Sequence, residues 1–263
     1  MNRIEKKFLE LRKKRKRAFI TYITAGYPSL KMTEDIVLAL ESAGVDIVEL
    51  GVPFSDPMAD GLTIQKSSEK ALERGANLTG ILKRVKSIRS KSDIPIVLMS
   101  YLNPVYHYGM DKFVKDAVSC GVDGVIFPDL PPDEAEDIVR YSNNMKFSVI
   151  FLASPTSTVE RLKIIAKRSQ GFIYYVSLTG VTGARKVLPA DIAAHIKKIK
   201  EFTAKPVCVG FGVSNAVQQR EINSIADGVI VGSAVVDFIR KNETRKDLGQ
   251  RVGGFIKRRF DLT

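Results

Sequence analysis

Short apolar runs alternate with amphipathic segments along almost the whole chain. The runs are rich in Val and Ile and nearly continuous in hydrophobicity, as strands covered on both faces should be. They fall at Ala18–Thr24, Val45–Leu50, Ile94–Met99, Gly124–Phe127, Ser148–Leu152, Phe172–Val176, Val207–Gly210 and Gly228–Val231. Helical segments with a 3.6-residue period lie between them, among them Leu30–Ala43, Asp111–Cys120, Glu134–Tyr141, Val159–Arg168, Ala190–Phe202 and Ala216–Ile225. The pattern predicts eight strand–helix units.

A short internal repeat supports this division. The segment Ala43–Val48 is matched by Cys120–Val125 and, more loosely, by Ala226–Val231. Each copy places a small residue or glycine where a helix ends and a buried strand begins. Eight such units in 263 residues favour an α/β fold, a single closed (β/α)8 TIM barrel, over an open sheet.

The barrel is expected to occupy residues 1–263 as one domain, since no linker or shift in composition divides the chain. Residues 1–16 are expected to form an extra N-terminal helix and a basic segment that cap the barrel. Ile4, Phe8 and Leu11 fall on one face of this helix.

The charge is strongly basic, with 41 Lys and Arg against 29 Asp and Glu and a formal net charge of +12. Most basic residues occupy polar helix positions, and only Arg12–Arg17 forms a dense block. No strand pattern of aromatic and basic residues accompanies it, so we expect no nucleic-acid partner. The excess charge favours an anionic substrate without identifying one.

Several other classes of protein are not expected. No run of eighteen apolar residues is present, so we expect no membrane span, and the N-terminus lacks the apolar core of a secretory signal. Cys120 and Cys208 have no metal-binding spacing and suit free thiols in a reducing cytoplasm. His107 and His195 are too far apart in sequence to indicate a metal site or a triad.

The most informative stretch runs from Val48 to Gln65, where a strand ends in a Pro- and Gly-rich loop. Alternation along the strand places Glu49 on one face with Ile47 and Gly51, among apolar neighbours that would raise its pKa. Asp60 follows in a loop long enough to fold back over the strand end. The two acids could form an acid–base pair. Alternatively, Glu49 is solvated or paired with Lys, and Asp60 only forms a turn.

Glycines follow the last two predicted strands. Gly210-Phe211-Gly212 and Gly232-Ser233 each open a helix, where free backbone N–H groups and the helix dipole attract anions. The loops at these two positions commonly bind phosphate in TIM barrels. The glycines could instead only permit tight turns. After the sixth strand, Gly180 and Gly183 flank Val181-Thr182, which could be a lid over the phosphate or an ordinary flexible loop.

The motif Glu49-Leu50-Gly51-Val52-Pro53-Phe54-Ser55-Asp56-Pro57-Met58-Ala59-Asp60-Gly61, followed by Thr63-Ile64-Gln65, resembles that of the tryptophan synthase alpha-subunit family. Further signatures resemble the same family at Tyr101–Pro104, Phe127–Pro131, Tyr175–Ser177, Gly180–Ala184 and Gly210–Ser214. The resemblance implies a lyase of tryptophan biosynthesis that cleaves indole-3-glycerol phosphate by a retro-aldol reaction to indole and D-glyceraldehyde 3-phosphate. It implies no metal or cofactor in this chain. The partner would be a beta subunit carrying pyridoxal phosphate, in an alpha2beta2 heterotetramer.

The resemblance also implies roles for individual residues. Glu49 and Asp60 would be catalytic. The other roles are phosphate binding for Gly183, Gly212, Gly232 and Ser233, indole-pocket positions for Tyr22, Ile64, Tyr101, Asp129 and Tyr174, and lid or partner loops for Pro53, Asp56 and Thr182.

Three positions depart from the family pattern. Leu62 stands where proline is usual, Tyr22 where phenylalanine is often found, and Ser67 where alanine is commoner. The hydroxyl of Tyr22 must find a partner or water. The family does not predict the basic excess. Other functions stay open: a free-standing lyase, a non-catalytic subunit that activates a partner, or a different phosphate-binding barrel such as a sugar-phosphate isomerase.

Overall fold

Strands and helices alternate along the chain in the computed structural model, which describes residues 1–143, 145–176, 192–210 and 212–262. The strands are β1 (Ala18–Thr24), β2 (Ile47–Gly51), β3 (Ile96–Met99), β4 (Gly124–Ile126), β5 (Ser148–Ile150), β6 (Leu152–Ala153), β7 (Ile173–Val176), β8 (Val207–Gly210) and β9 (Gly228–Val231). The α-helices are α1 (Arg3–Lys13), α2 (Leu30–Ser42), α3 (Leu62–Glu73), α4 (Leu78–Arg89), α5 (Leu102–Tyr108), α6 (Met110–Cys120), α7 (Glu136–Ser142), α8 (Val159–Arg168), α9 (Ile192–Phe202), α10 (Ala216–Asn223), α11 (Ser233–Lys241) and α12 (Leu248–Arg259). Among these helices, none has the length and apolar character needed to cross a membrane.

The sheet closes on itself. Its strand order is β5-β4-β3-β2-β1-β9-β8-β7-β6, and every pairing is parallel. The two edge strands, β5 and β6, are separated in sequence only by Phe151 and together form the fifth position of the barrel. The predicted TIM barrel is therefore confirmed, with the fifth predicted strand interrupted at one residue.

The second strand begins later than the sequence pattern predicts. The backbone N–H of Val45 donates to the carbonyl of Leu40 and closes the end of α2. The carboxylate of Asp46 accepts a hydrogen bond from the backbone N–H of Phe19 at 2.9 Å. Val45 therefore belongs to the end of α2 and Asp46 to the turn that follows, and β2 starts only at Ile47.

Residues of β2 alternate between the inside and the outside of the barrel. Val48 and Leu50 belong to the large cluster between strands and helices. Ile47 belongs to a second cluster inside the barrel, with Ala18, Ile20, Val97, Ile126, Ile150, Phe172, Tyr174, Cys208 and Ile230. The predicted alternation is confirmed, and it directs Glu49 and Gly51 inward.

The N-terminal helix closes one end of this interior. Ile4, Phe8 and Leu11 of α1 are buried in the inner cluster, and the ring of Phe8 lies 5.8 Å from that of Phe172. Asn2 caps the helix, and its side-chain N–H also donates to the hydroxyl of Ser148 at 2.6 Å. The helix therefore lies across the amino-terminal ends of the strands. The basic residues 12–17, at the end of the helix and just after it, are all exposed.

The aspartates of the internal repeat connect neighbouring strands at this closed end. Each carboxylate accepts a hydrogen bond from the backbone N–H at the start of an adjacent strand: Asp46 from Phe19, Asp123 from Ile96 and Asp227 from Val207. Asp123 is nearly fully buried and also pairs with Arg89 at 2.8 Å and Arg3 at 3.2 Å. The repeat thus encodes a set of backbone connections between strands.

We predict that Asp123→Ala lowers the free energy of unfolding by about 3 kcal/mol, because it leaves Arg89 without its buried counter-charge. Asp93→Ala is the matched control. Asp93 also pairs with Arg3 but is 92% exposed, so its loss should cost under about 0.5 kcal/mol. Urea unfolding of both variants measures the difference, and equal losses would contradict the assignment.

Candidate active site

Glu49 lies inside the barrel near the carboxyl end of β2. Its side chain is only 1% exposed, and neither carboxyl oxygen has a hydrogen-bond partner within the described ranges. Burial raises its pKa to about 8, and the nearby charge of Asp60 acts in the same direction. Glu49 is therefore mostly a neutral carboxylic acid at pH 7, with a proton to give.

Asp60 lies at the end of the loop between β2 and α3. The side chain of Gln65 donates to the carbonyl of Asp60 at 2.8 Å, and the N–H of Ala59 donates to the hydroxyl of Tyr101 at 2.9 Å. These bonds hold the loop at the mouth of the barrel. Burial raises the pKa of Asp60 to about 6, while the neighbouring hydroxyl of Tyr101 opposes the rise. Asp60 is therefore mostly ionised at pH 7.

Two tyrosines of the predicted pocket pack directly on glycines of adjacent strands. A methyl group at Gly51 would lie 2.0 Å from the hydroxyl oxygen of Tyr22, and one at Gly210 would lie 2.3 Å from that of Tyr174. Any residue other than glycine at these two positions would displace the tyrosine rings. Tyr22 also packs with Ile64, Val236 and Met99. The result is an apolar, aromatic wall beside the two acids.

The phosphate-binding positions predicted after the last two strands are only partly described. Gly212 has φ +75°, and no atom of the described residues outside its chain neighbours lies within 4 Å of the place of a Cβ. Gly232 precedes α11, whose first turn has no side-chain cap, and Ser233 is its first, exposed residue. An uncapped helix start offers N–H groups to an anion. Gly183 and Thr182 lie outside the described residues.

The remaining predicted residues lie around the rim. Asp129 is exposed, and both of its carboxyl oxygens accept from the N–H of Leu102 at 3.0 Å. Asp129 therefore caps α5, and the structure gives no contact between it and the two acids. Pro53 is buried at the base of the β2–α3 loop, and Asp56 is exposed near its tip, where Ser55 donates to it at 2.5 Å.

Sequence reasoning missed two hydroxyl groups next to this wall. The hydroxyl of Thr24 lies 3.5 Å from that of Tyr22 and 2.6 Å from that of Ser67. The extra hydroxyl of Tyr22 thus has a partner, and Ser67 is connected to it through Thr24. The departures at Tyr22 and Ser67 were the available signal, but they lie too far apart in sequence to be connected without the fold. Gln65 belongs to the motif, and its role, holding the carbonyl of Asp60, becomes visible only in the structure.

Taken together, the site contains a neutral acid, an ionised acid, an aromatic wall and an uncapped helix start. The acid and the carboxylate can give and accept protons at different points of one substrate. The helix start can bind an anionic group of that substrate. Within the described ranges, no three His, Cys, Asp or Glu residues are arranged to hold a metal ion.

Comparison with known proteins identifies the family. The family model described as tryptophan synthase alpha chain matches residues 8–255. The tryptophan synthase alpha chain of Geotalea uraniireducens is 51% identical over 257 residues, 97% of this chain and 96% of that protein. That of a Thermoanaerobacter species is 46% identical, with 97% of each chain covered.

Solved structures agree. Tryptophan synthase subunit alpha from Legionella pneumophila superposes with a TM-score of 0.90 at 37% identity, covering 98% of this chain and 96% of that one. A chain from the tryptophan synthase α2β2 complex of Pyrococcus furiosus gives a TM-score of 0.84 at 39% identity, covering 92% and 95%. The extent of these matches shows that the chain belongs to the tryptophan synthase alpha chain family.

Proposed function

We propose that this chain, working as one barrel domain over residues 1–263, is a lyase of tryptophan biosynthesis that cleaves indole-3-glycerol phosphate to indole and D-glyceraldehyde 3-phosphate. The observation that carries the proposal is the carboxyl group of Glu49, which is buried beside Asp60 and has no hydrogen-bond partner among the described residues. A retro-aldol cleavage needs a proton donor at one carbon and proton acceptors nearby. These two acids supply both.

The reaction breaks the bond between indole C3 and the side-chain carbon that bears a hydroxyl group. Glu49 gives its proton to C3, and the ring becomes positively charged. The bond between C3 and the side chain then breaks, and its electrons return to the ring. The hydroxyl group gives its proton to Glu49, and the carbon that bears this oxygen becomes the aldehyde carbon. The acid is therefore restored in each cycle, without a metal or cofactor.

Asp60 acts on the other side of the indole ring. As a carboxylate it accepts a hydrogen bond from the indole N–H and stabilises the positive charge that develops when C3 is protonated. Tyr22, Tyr101, Tyr174 and Ile64 enclose the ring and exclude water. Asp129 contributes at the rim of this pocket.

The phosphate group binds at the ends of β8 and β9, three and two strands along the barrel from β2. Backbone N–H groups at Gly212, Gly232 and Ser233 donate to its oxygens, and the positive end of the α11 dipole adds to the attraction. We assign Gly183 to the same group and Thr182 to a lid over it, on the resemblance alone.

The indole product passes to a tryptophan synthase beta subunit, which carries pyridoxal phosphate, in an α2β2 assembly. Asp56 and Pro53 lie in the loop that we assign to this contact, and the tip of that loop exposes Met58 by 91%. Exposure of a large apolar side chain at a loop tip supports a protein contact. A water-soluble phosphorylated substrate supports a cytoplasmic location.

The direct test is indole release from indole-3-glycerol phosphate by the purified chain, with and without a beta subunit. We expect slow release by the chain alone and faster release on mixing. Equal rates would reject the partner and favour a free-standing lyase. No release in either case would reject the reaction.

We predict that Glu49→Gln lowers kcat at least about 100-fold, because it removes the proton donor while keeping the shape of the side chain. Asp60→Asn should also lower kcat. Binding of the intact substrate to Glu49→Gln, measured by calorimetry, should stay within a few-fold of the original protein. Cleavage above about one hundredth of normal would contradict the role of Glu49.

Burial of Glu49 also has a predicted effect on stability. Its folded-state pKa of about 8 exceeds the ordinary value of 4.5, so ionisation opposes folding increasingly as the pH rises from 4.5 to 8. Below pH 4.5 the group is protonated in both states and has no such effect. Relative to Glu49→Gln, the original protein should therefore lose roughly 5 kcal/mol of unfolding free energy between pH 4 and pH 9. Denaturant unfolding at both pH values measures this, and a constant difference would contradict the raised pKa.

We predict that Gly232→Asp raises KM for indole-3-glycerol phosphate at least about tenfold, because a carboxylate would repel the phosphate at the start of α11. Gly232→Asn has nearly the same bulk without the charge and is the matched control, since a side chain here also approaches Tyr22 within 3.3 Å. Indole glycerol without phosphate should bind both variants equally. If Asn and Asp raise KM alike, the phosphate assignment fails.

A further inference from the structure

Three buried hydroxyl groups form a chain from the pocket wall to α3. The Tyr22 hydroxyl lies 3.5 Å from that of Thr24, which lies 2.6 Å from that of Ser67. Ser67 in turn donates to the backbone carbonyl of Ile64 at 2.7 Å. All three side chains are 7% exposed or less. The chain thus connects β1, inside the barrel, with the first turns of the helix that follows the Asp60 loop.

The hydrogen bonds along this chain of hydroxyl groups all run in one direction, because each hydroxyl group carries one hydrogen. Ser67 uses its hydrogen on the carbonyl of Ile64. The short contact between Thr24 and Ser67 must then be made with the hydrogen of Thr24. Thr24 has only lone pairs left for Tyr22, so the hydrogen of Tyr22 points toward Thr24. The contact at 3.5 Å is long, and its effect is mainly to orient this hydrogen.

Tyr22 and Glu49 lie side by side on adjacent strands of the barrel. The parallel register of β1 and β2 pairs Tyr22 with Glu49, and both side chains point inward. The hydroxyl oxygen of Tyr22 lies against Gly51, two residues beyond Glu49 on the same face. Among the described residues, the titratable groups that interact with Glu49 are Asp60 on the loop, Tyr22 on the adjacent β1 and Tyr174 on β7. Tyr101, at the end of β3, lies beside Asp60.

We propose that Thr24 and Ser67 are positioning residues that turn the hydrogen of Tyr22 away from Glu49, so that its oxygen lone pairs face the carboxyl group. A partially negative oxygen facing Glu49 favours the protonated acid that the proposed cleavage requires. The inference rests on the proposed function for its purpose. Its structural claim, the orientation of one hydroxyl group, does not depend on the reaction.

Loss of the Ser67 hydroxyl group should reverse the direction of the hydrogen bond between Thr24 and Tyr22. In Ser67→Ala, Thr24 has no acceptor on α3, and its hydrogen turns to the oxygen of Tyr22. The hydrogen of Tyr22 then points into the site, where it favours the ionised carboxylate of Glu49. In Tyr22→Phe no hydroxyl is left to orient, so adding Ser67→Ala should change nothing further.

The test is a titration of Glu49 by carbon NMR in protein labelled with 13C at the glutamate carboxyl group, its signal assigned by its loss in Glu49→Gln. We expect the acid dissociation constant to rise about threefold or more in Ser67→Ala, where the positive end of the Tyr22 hydroxyl faces Glu49, and less in Tyr22→Phe, where no hydroxyl is left. The double variant should match Tyr22→Phe. Ser68→Ala is the control, because Ser68 is equally buried on α3 but is not part of the chain.

The pH profile of indole release gives a second readout. The alkaline limb of kcat should move to lower pH in Ser67→Ala by the same factor, with little change in KM. An unchanged Glu49 titration in Ser67→Ala, or an equal change in the Tyr22→Phe background, would overturn the inference. If the original protein released no indole, the proposed function would fail, while the titration would still decide the orientation of Tyr22.

Discussion

The burial of a carboxyl group without a partner is the constraint on which the site depends. The two-residue alternation of β2 turns Glu49 into the barrel, and the strand fixes it where water is scarce. An ion pair at this place would satisfy the group and lower its pKa, and the proton would be lost at neutral pH. The site instead places Glu49 beside tyrosine rings, and the charge that acts on it within the described part of the chain is that of Asp60, on a loop.

Buried acids at the two ends of the barrel differ in the partners that surround them. At the closed end, Asp123 has two arginine partners and a backbone N–H, so its charge supports the fold. At the open end, the oxygens of Glu49 meet no donor in the described part of the chain. The closed end therefore supplies stability that the open end lacks. This separation lets one fold keep a rigid base and a chemically reactive mouth.

Most of the fold could be predicted from the sequence because the apolar runs are nearly continuous in hydrophobicity and recur regularly between helical segments. Alternation, a local property, predicted that Glu49 shares a face with Ile47 and Gly51, and the barrel then turns that face inward. The sequence pattern has limits. It did not predict the break at Phe151 or the contact of Tyr22 with Gly51, which depend on how neighbouring strands fit together. The connection from Tyr22 through Thr24 to Ser67 spans 45 positions and exists only after α3 packs on β1. The repeated Asp was visible in each copy, but its role needs a neighbouring strand.

The N-terminal helix has a consequence for the movement of molecules through the barrel. Because Ile4, Phe8 and Leu11 of α1 pack into the inner cluster, the barrel is closed at this end, and the two acids face the other end. Substrate and both products therefore pass at the open end of the barrel, so the order in which they enter and leave matters as much as the cleavage itself. A second protein seated on the rim would decide whether indole escapes to solvent or moves directly to the next reaction.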